Sequence, residues 1–188
     1  MLLSVDEPTI TCRPYVDRLK ETVNPRHRKL LETVIEHDQA EAACDIEGTM
    51  ATLTNAPEYV RFWGSEDVAP KGYAEVRSFY EGLFARGGIG NLTPDVKRIV
   101  VDDHTVIAEF TVTAVWPGWV AKDLGCDISD EAGYYAIHRH LTTVIPFDDD
   151  LKMSGERSYG GGISCTRVPA KELSAGYFGW VEKFHPRP

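Results

Sequence analysis

The apolar positions of this chain change period once along its length. From Asn24 to Ala85 they recur mostly at helical spacing, and beyond Asp95 they follow the alternating or continuous pattern of strands. Asn24-Pro25 sets an N-cap residue before a proline at the first helical position, and Leu30, Leu31, Val34 and Ile35 follow with helical period. A long helix is therefore predicted to about Ala43. Asp45 caps a short second helix carrying Ile46, Met50 and Leu53, which Asn55-Ala56-Pro57 ends. Glu58–Trp63 is short, aromatic and β-branched, a strand pattern. Tyr73–Ala85 returns to helical spacing through Val76, Phe79, Tyr80, Leu83 and Phe84, and the glycine-rich run 87–91 stops it.

Strands dominate the second half. Asp95–Val101 and Thr105–Trp116 are joined by the turn residues Asp102-Asp103-His104. Residues 117–133 read as a polar loop, long enough to suggest function or mobility. Tyr134–Phe147 and Lys152–Tyr159 form a second hairpin turning at Asp148-Asp149-Asp150, and Gly160-Gly161-Gly162 breaks or bulges its return strand. Lys171–Lys183 has helical spacing at Leu173, Tyr177, Trp180 and Val181. The order predicts a single α+β domain over residues 1–188, with helices packed on one curved, mostly antiparallel sheet.

Composition narrows the partners. A chain of 188 residues with 43% hydrophobic and 26% charged residues is long enough to bury its own core. A net charge of −9 with scattered basic residues argues against nucleic acid. No apolar run approaches the ~20 residues that cross a bilayer, so no membrane partner is expected. The opening MLLSVDEPTI lacks the basic and apolar regions of a signal peptide. Cys12, Cys44, Cys126 and Cys165 are far apart in sequence, a pattern that suits reduced thiols and a cytoplasmic protein.

Several segments together resemble a known family. In order they are His37, Ala43-Cys44-Asp45, MATLTNAPEYV, KGYAEVRSFYEGLF, VVDDHTVIAEF and FDDDLKMSGERSYGG. Their order and spacing resemble the nuclear transport factor 2-like superfamily, and within it the SnoaL-like group that includes polyketide cyclases. The likeness runs from about residue 26 to 162, leaving an N-terminal extension (1–25) and a helical tail (163–188) outside it. It implies a conical α+β barrel whose bent sheet wraps a deep apolar pocket under the N-terminal helices. It further implies a homodimer and acid–base chemistry without a cofactor. One position departs: where many SnoaL-like sequences carry an aspartate two residues after the tyrosine of Glu-Arg-x-Tyr, this chain has Gly161.

The resemblance and the residue pattern together nominate the site. His37 is placed by the resemblance at the pocket mouth, where an imidazole could move a proton; the alternative is a histidine bonded to the adjacent loop. Asp38 and Asp45 read as helix-terminus groups. Tyr59 falls at a cavity-lining position of the resembled proteins, as a donor to a developing oxyanion or else as core. Trp63, on the same strand and face as Tyr59 by even spacing, is expected as an apolar wall. His138 and His140 share one strand face, but no other histidine supplies a third ligand at a metal-site spacing, so no metal is expected. Alternation sets Ile137, Arg139, Leu141, Ile145 and Phe147 on the more apolar, cavity-facing side and both histidines on the other, outward or at a subunit interface. Glu156 is either a base or the ion-pair partner of Arg139 across the hairpin. Tyr159, sharing parity with Gly161, is expected to face the pocket. Trp116 and Trp119 form either a lid over an apolar ligand or a contact with a partner subunit.

The expectation is a cofactor-independent acid–base enzyme of cyclase, isomerase or dehydratase type for a small polyketide-, terpenoid- or steroid-like substrate. His37 and Tyr59 would lead, supported by Tyr159, His140 and Glu156, with Trp63, Trp116, Trp119, His138, Arg139 and Phe147 around the substrate. An epoxide hydrolase and a non-catalytic ligand-binding or dimeric accessory protein are the alternatives.

Overall fold

Five strands form one sheet in the order β1-β5-β4-β3-β2: β1 (Val60–Phe62), β2 (Leu92–Val101), β3 (Thr105–Pro117), β4 (Tyr134–Pro146) and β5 (Arg157–Val168). The computed structural model describes residues 1–187. Every neighbouring pair is antiparallel except β1 with β5. Register shifts at Val96/Arg98 and at Arg139/Leu141 mark two bulges, the devices that bend a sheet. The α+β architecture with one curved sheet matches the expectation.

Helices α1 (Arg13–Glu21), α2 (Pro25–Ala42), α3 (Ile46–Ala51) and α4 (Gly72–Ala85) precede the long strands. Asn24 caps α2 by accepting from the backbone N–H of Arg26 and His27, and Asp45 caps α3 by accepting from that of Gly48. Leu30, Leu31 and Val34 of α2, Met50 of α3, and Val76 and Tyr80 of α4 bury against Val106, Ala108 and Ile145 of the sheet. Phe147 belongs to this same core. None of the described helices is long and apolar enough to cross a membrane.

The sheet's other end carries a second core. There α6 (Ala175–Phe184) buries Tyr177, Trp180 and Val181 with Leu3, Val115, Ala136 and Val168. Residues 1–25, which lie outside the span of the resemblance, pack into the fold: Leu3 is fully buried here, and α1 packs on α2. The loop 117–133 contains a short helix, α5 (Gly118–Asp123), and Ala121 and Cys126 behind it pack on Tyr135 and Ile137. Trp116 lies 5.8 Å from Trp180 and 5.2 Å from His185, and Trp119 packs on the same cluster, so both tryptophans serve this core and neither is a lid.

Two further expectations are corrected. The return strand starts at Arg157 and runs through the glycines to Val168, because the ladder steps from Leu141↔Gly160 to Arg139↔Ile163 and absorbs Gly161 and Gly162 as a bulge. Cys126 and Cys165 form a disulfide with a Cα–Cα distance of 6.1 Å, where free thiols were expected. Their sequence separation of 39 hid the approach, which arises because Cys165 sits opposite Ile137, on which the Cys126 segment packs. The cytoplasmic expectation loses the support it drew from reduced cysteines.

Candidate active site

A cavity of about 160 Å³, open to solvent, lies between α1, the end of α2 and the inner face of the sheet. Ile89, Leu92, Pro94, Val96, Phe110, Val112 and Ile145 form its apolar walls. Its polar lining is Thr11, Tyr15, Asp38, Glu41, Thr143 and Glu156.

Helical spacing explains how α2 divides its residues. Leu30, Leu31, Val34, Ile35 and His37 bury in the core, while Asp38 and Glu41 border the cavity. Tyr15 and Thr11 come from α1 and the turn before it, which roof the space. Glu156 is brought in by the approach to β5. Gly155 there has φ 134°, and a Cβ on it would stand 2.2 Å from the Glu58 carbonyl oxygen, so glycine alone permits this approach to β1. The Val60 N–H then donates to the Glu156 carbonyl at 2.8 Å.

His37 lies behind the cavity, 1% exposed. The Thr52 hydroxyl donates to the Thr49 carbonyl at 2.7 Å, so its oxygen must accept from His37 Nδ1–H at 2.6 Å. Nε2 faces the Tyr80 hydroxyl at 3.0 Å, Glu41 Oε1 at 3.6 Å and Glu156 Oε1 at 3.8 Å. Burial disfavours the imidazolium, but the hydrogen bond and charge of Glu41, with the charges of Glu156 and Asp38, outweigh it and push the His37 pKa up to about 9. His37 is therefore an imidazolium at neutral pH. Its Nε2–H then donates to Tyr80, which passes its own O–H to Tyr59 at 2.9 Å.

The carboxyls are less well compensated. The Asp38 carboxyl is held well above the usual range, first by burial and then by the charge of Glu41, with His37 pulling it back only in part. Glu156, whose side chain is 25% exposed, is raised by burial and by Glu41 against the opposing pull of His37 and Arg61. Its exposed portion opens on the cavity. Tyr15 is 8% exposed, and burial, with the charges of Asp38, Glu156 and Glu41, holds its phenol well above the usual tyrosine value.

The remaining expected site residues lie elsewhere. Tyr59 is buried beside Tyr80, with no cavity surface of its own. His138 lies on the outer sheet face between Thr113 and Thr166, at 2.9 Å from each hydroxyl. His140 faces the same way, 2.8 Å from the Thr111 hydroxyl. Tyr159, expected to face the pocket, is 44% exposed and stacks on Phe62, because it pairs with outward-facing Thr142 while Ser158 bonds Thr143 on the inner side. Gly161 follows the outer parity and has open space around it, so an aspartate there would not enter this cavity. Arg139 makes no ion pair with Glu156. It stands opposite Ile163, at the other end of the hairpin, and its guanidinium covers Trp63 at 4.6 Å and donates to the Gly161 carbonyl at 3.1 Å. Trp63 is thereby held between Arg61 and Arg139 and is not a cavity wall.

Asp38, Glu41 and Tyr15 are the cavity residues that the sequence did not nominate for chemistry. Glu41 had a readable signal, one helical turn after His37. Tyr15 had a weaker one, the Tyr15-Val16-Leu19 spacing after Pro14.

No family model matches the sequence, and no curated protein matches it either. Solved structures do. A Δ5-3-ketosteroid isomerase from Mycobacterium sp. is similar over 73% of this chain and 98% of its own, with a TM-score of 0.51 and 11% identity. The Rv0760c protein of Mycobacterium tuberculosis is similar over 73% and 96%, with a TM-score of 0.52 and 11% identity. An NTF2-like protein of unknown function from Cytophaga hutchinsonii aligns more loosely, with a TM-score of 0.45 and 14% identity over 69% and 96%. At these identities the likeness extends to the fold and leaves the reaction open.

Proposed function

We propose that this chain, built on a nuclear transport factor 2-like fold, is a cofactor-independent acid–base enzyme of cyclase, isomerase or dehydratase type acting on a small, largely apolar substrate. One observation carries the reading: Asp38, Glu41, Glu156 and Tyr15 converge on a single apolar-walled cavity. A binding protein for neutral apolar ligands has no use for three carboxyls gathered on one apolar-walled cavity, two of them with ionisation disfavoured by burial. Epoxide opening by a carboxylate–arginine–carboxylate cluster is less well supported, since no arginine lines the cavity among the described residues.

The roles follow from charge and burial. Glu156, raised toward the operating pH, is the proton carrier; it removes a proton beside a carbonyl and returns it to another atom. Asp38, whose protonated form is favoured by burial and by the charge of Glu41, is the acid that assists a departing or developing oxygen. Tyr15 stays a neutral phenol and donates to the forming oxyanion. His37 positions the pair Glu41 and Glu156 from behind and compensates their charge. In this arrangement Tyr59 and Tyr80 hold His37, while Glu156 performs the transfer.

The test is deuterium incorporation from D2O beside the carbonyl of small cyclic ketones, amino-substituted ones included, followed by NMR. The protein should accelerate exchange for some members, and Glu156→Gln should remove most of the acceleration. A folded, unmodified protein that accelerates none of them sinks the reading.

A further inference from the structure

We propose that the cavity is built to hold a small organic cation, an apolar ring or chain bearing a protonated amine, with its ammonium group among Asp38, Glu41 and Glu156. The inference rests on the acid–base reading and specifies its substrate class. Among the described residues no lysine, arginine or histidine lines the cavity, while three carboxyls do. The cations near them approach from behind: His37 from within the core, and Arg61, whose guanidinium covers Trp63 and Phe79. Both are outside the lining, so a positive group entering from solvent would meet acids directly.

A second feature points the same way. Tyr15 lines the cavity, is 8% exposed, and its hydroxyl has no hydrogen-bond partner among the described residues. That oxygen is not among the sealed-in polar atoms, so a partner would reach it through the cavity. A phenol oxygen accepts from an ammonium N–H, and the rings of Tyr15 and Phe110 offer the aromatic faces that attract cations. The remaining walls suit an apolar body. A cavity of about 150 Å³ accommodates a benzene-sized ring, so a six-membered ring fits the roughly 160 Å³ available. An ammonium group would offset the charge of Glu41 that holds the Glu156 proton in place, so binding should release a proton from Glu156 and leave it as the base. Anionic substrates such as carboxylates or phosphates would add to that repulsion and be excluded.

Calorimetric titration of the unmodified protein with cyclohexylamine, cyclohexanol and cyclohexanecarboxylate tests this. The amine should bind at least tenfold more tightly than the alcohol, with proton release visible as a dependence of the heat on buffer ionisation enthalpy. The carboxylate should not bind measurably. Asp38→Asn with Glu156→Gln should erase the tenfold preference and the proton release. Equal or tighter binding of the alcohol, binding of the carboxylate, or no binding of the amine overturns the inference. The deuterium-exchange assay judges the acid–base reading separately: exchange that survives without amine preference leaves that reading standing.

Discussion

On the outer face of the sheet, His138 and His140 rest against Thr113, Thr166 and Thr111 at 2.8–2.9 Å. On the inner side, Asp38, Glu41 and Glu156 share a cavity whose nearest buried counter-charge, His37, stands 3.6–3.8 Å from the two glutamates. The outer histidines look more reactive in sequence, yet neighbouring hydroxyls satisfy them. The inner carboxyls look like ordinary helix-surface acids, yet the fold holds two of them against their preferred ionisation. Residue type was a poor guide to chemistry here; incomplete compensation of charge was the better one.

The contrast can be broken most sharply at Glu156. Glu156→Gln should lower the ketone-exchange rate by about 10²–10⁴, the usual loss on removing a general base, measured by NMR. Next comes the pH dependence of stability. The His37 pKa is raised from 6.5 to about 9, so its stabilisation is full below 6.5 and lost as pH rises through about 9. At full strength that contribution is about 3 kcal/mol. The raised carboxyls act in the same direction: Asp38 and Glu156 cost nothing when protonated and destabilise as pH rises through their folded-state values. Thermal unfolding should therefore show greatest stability on the acidic side of neutrality, and His37→Gln should flatten the alkaline decline.

A smaller effect sharpens the same point. At neutral pH, Glu156→Gln should raise Tm by a few degrees, corresponding to about 1 kcal/mol, because it removes a charge that burial and Glu41 disfavour. Loss of activity with gain of stability at one residue marks a functional group. Smallest of all, His140→Ala on the exposed outer face should change stability by no more than about 0.5 kcal/mol and leave exchange intact. A large loss of exchange on His140→Ala would reverse the assignment of the two faces.

Periodicity and caps made much of the fold legible. Asn24-Pro25 and Asp45 start helices where predicted, and β2 through β4 follow their apolar alternation within a few residues. The parity rule also set both hairpin histidines outside. It failed at Tyr159, because the family aspartate used to orient that strand has no counterpart at the bulged, outward Gly161. Asp38 was read as a helix-terminus group from its place near the end of α2; only the packing of α1 over α2 turns its surroundings into a cavity. Tyr15 was missed for the same reason, since its helix is short and its burial depends on residues far along the chain. Pairings of that range, including Cys126 with Cys165, leave no local trace.

The N-terminal strap has a consequence for how the protein is made. Residues 3–5 dock on Gly90, Leu92 and the last helix: the Ser4 N–H donates to the Leu92 carbonyl at 3.0 Å, Val5 N–H to that of Gly90 at 2.7 Å, and Leu3 packs with Tyr177, Trp180 and Val181. A few residues later the same strand of chain supplies Thr11 and Tyr15 to the cavity roof. During synthesis these residues are made long before Tyr177, Trp180 and Val181, which complete their anchorage. The roof therefore cannot be secured until synthesis has passed Val181.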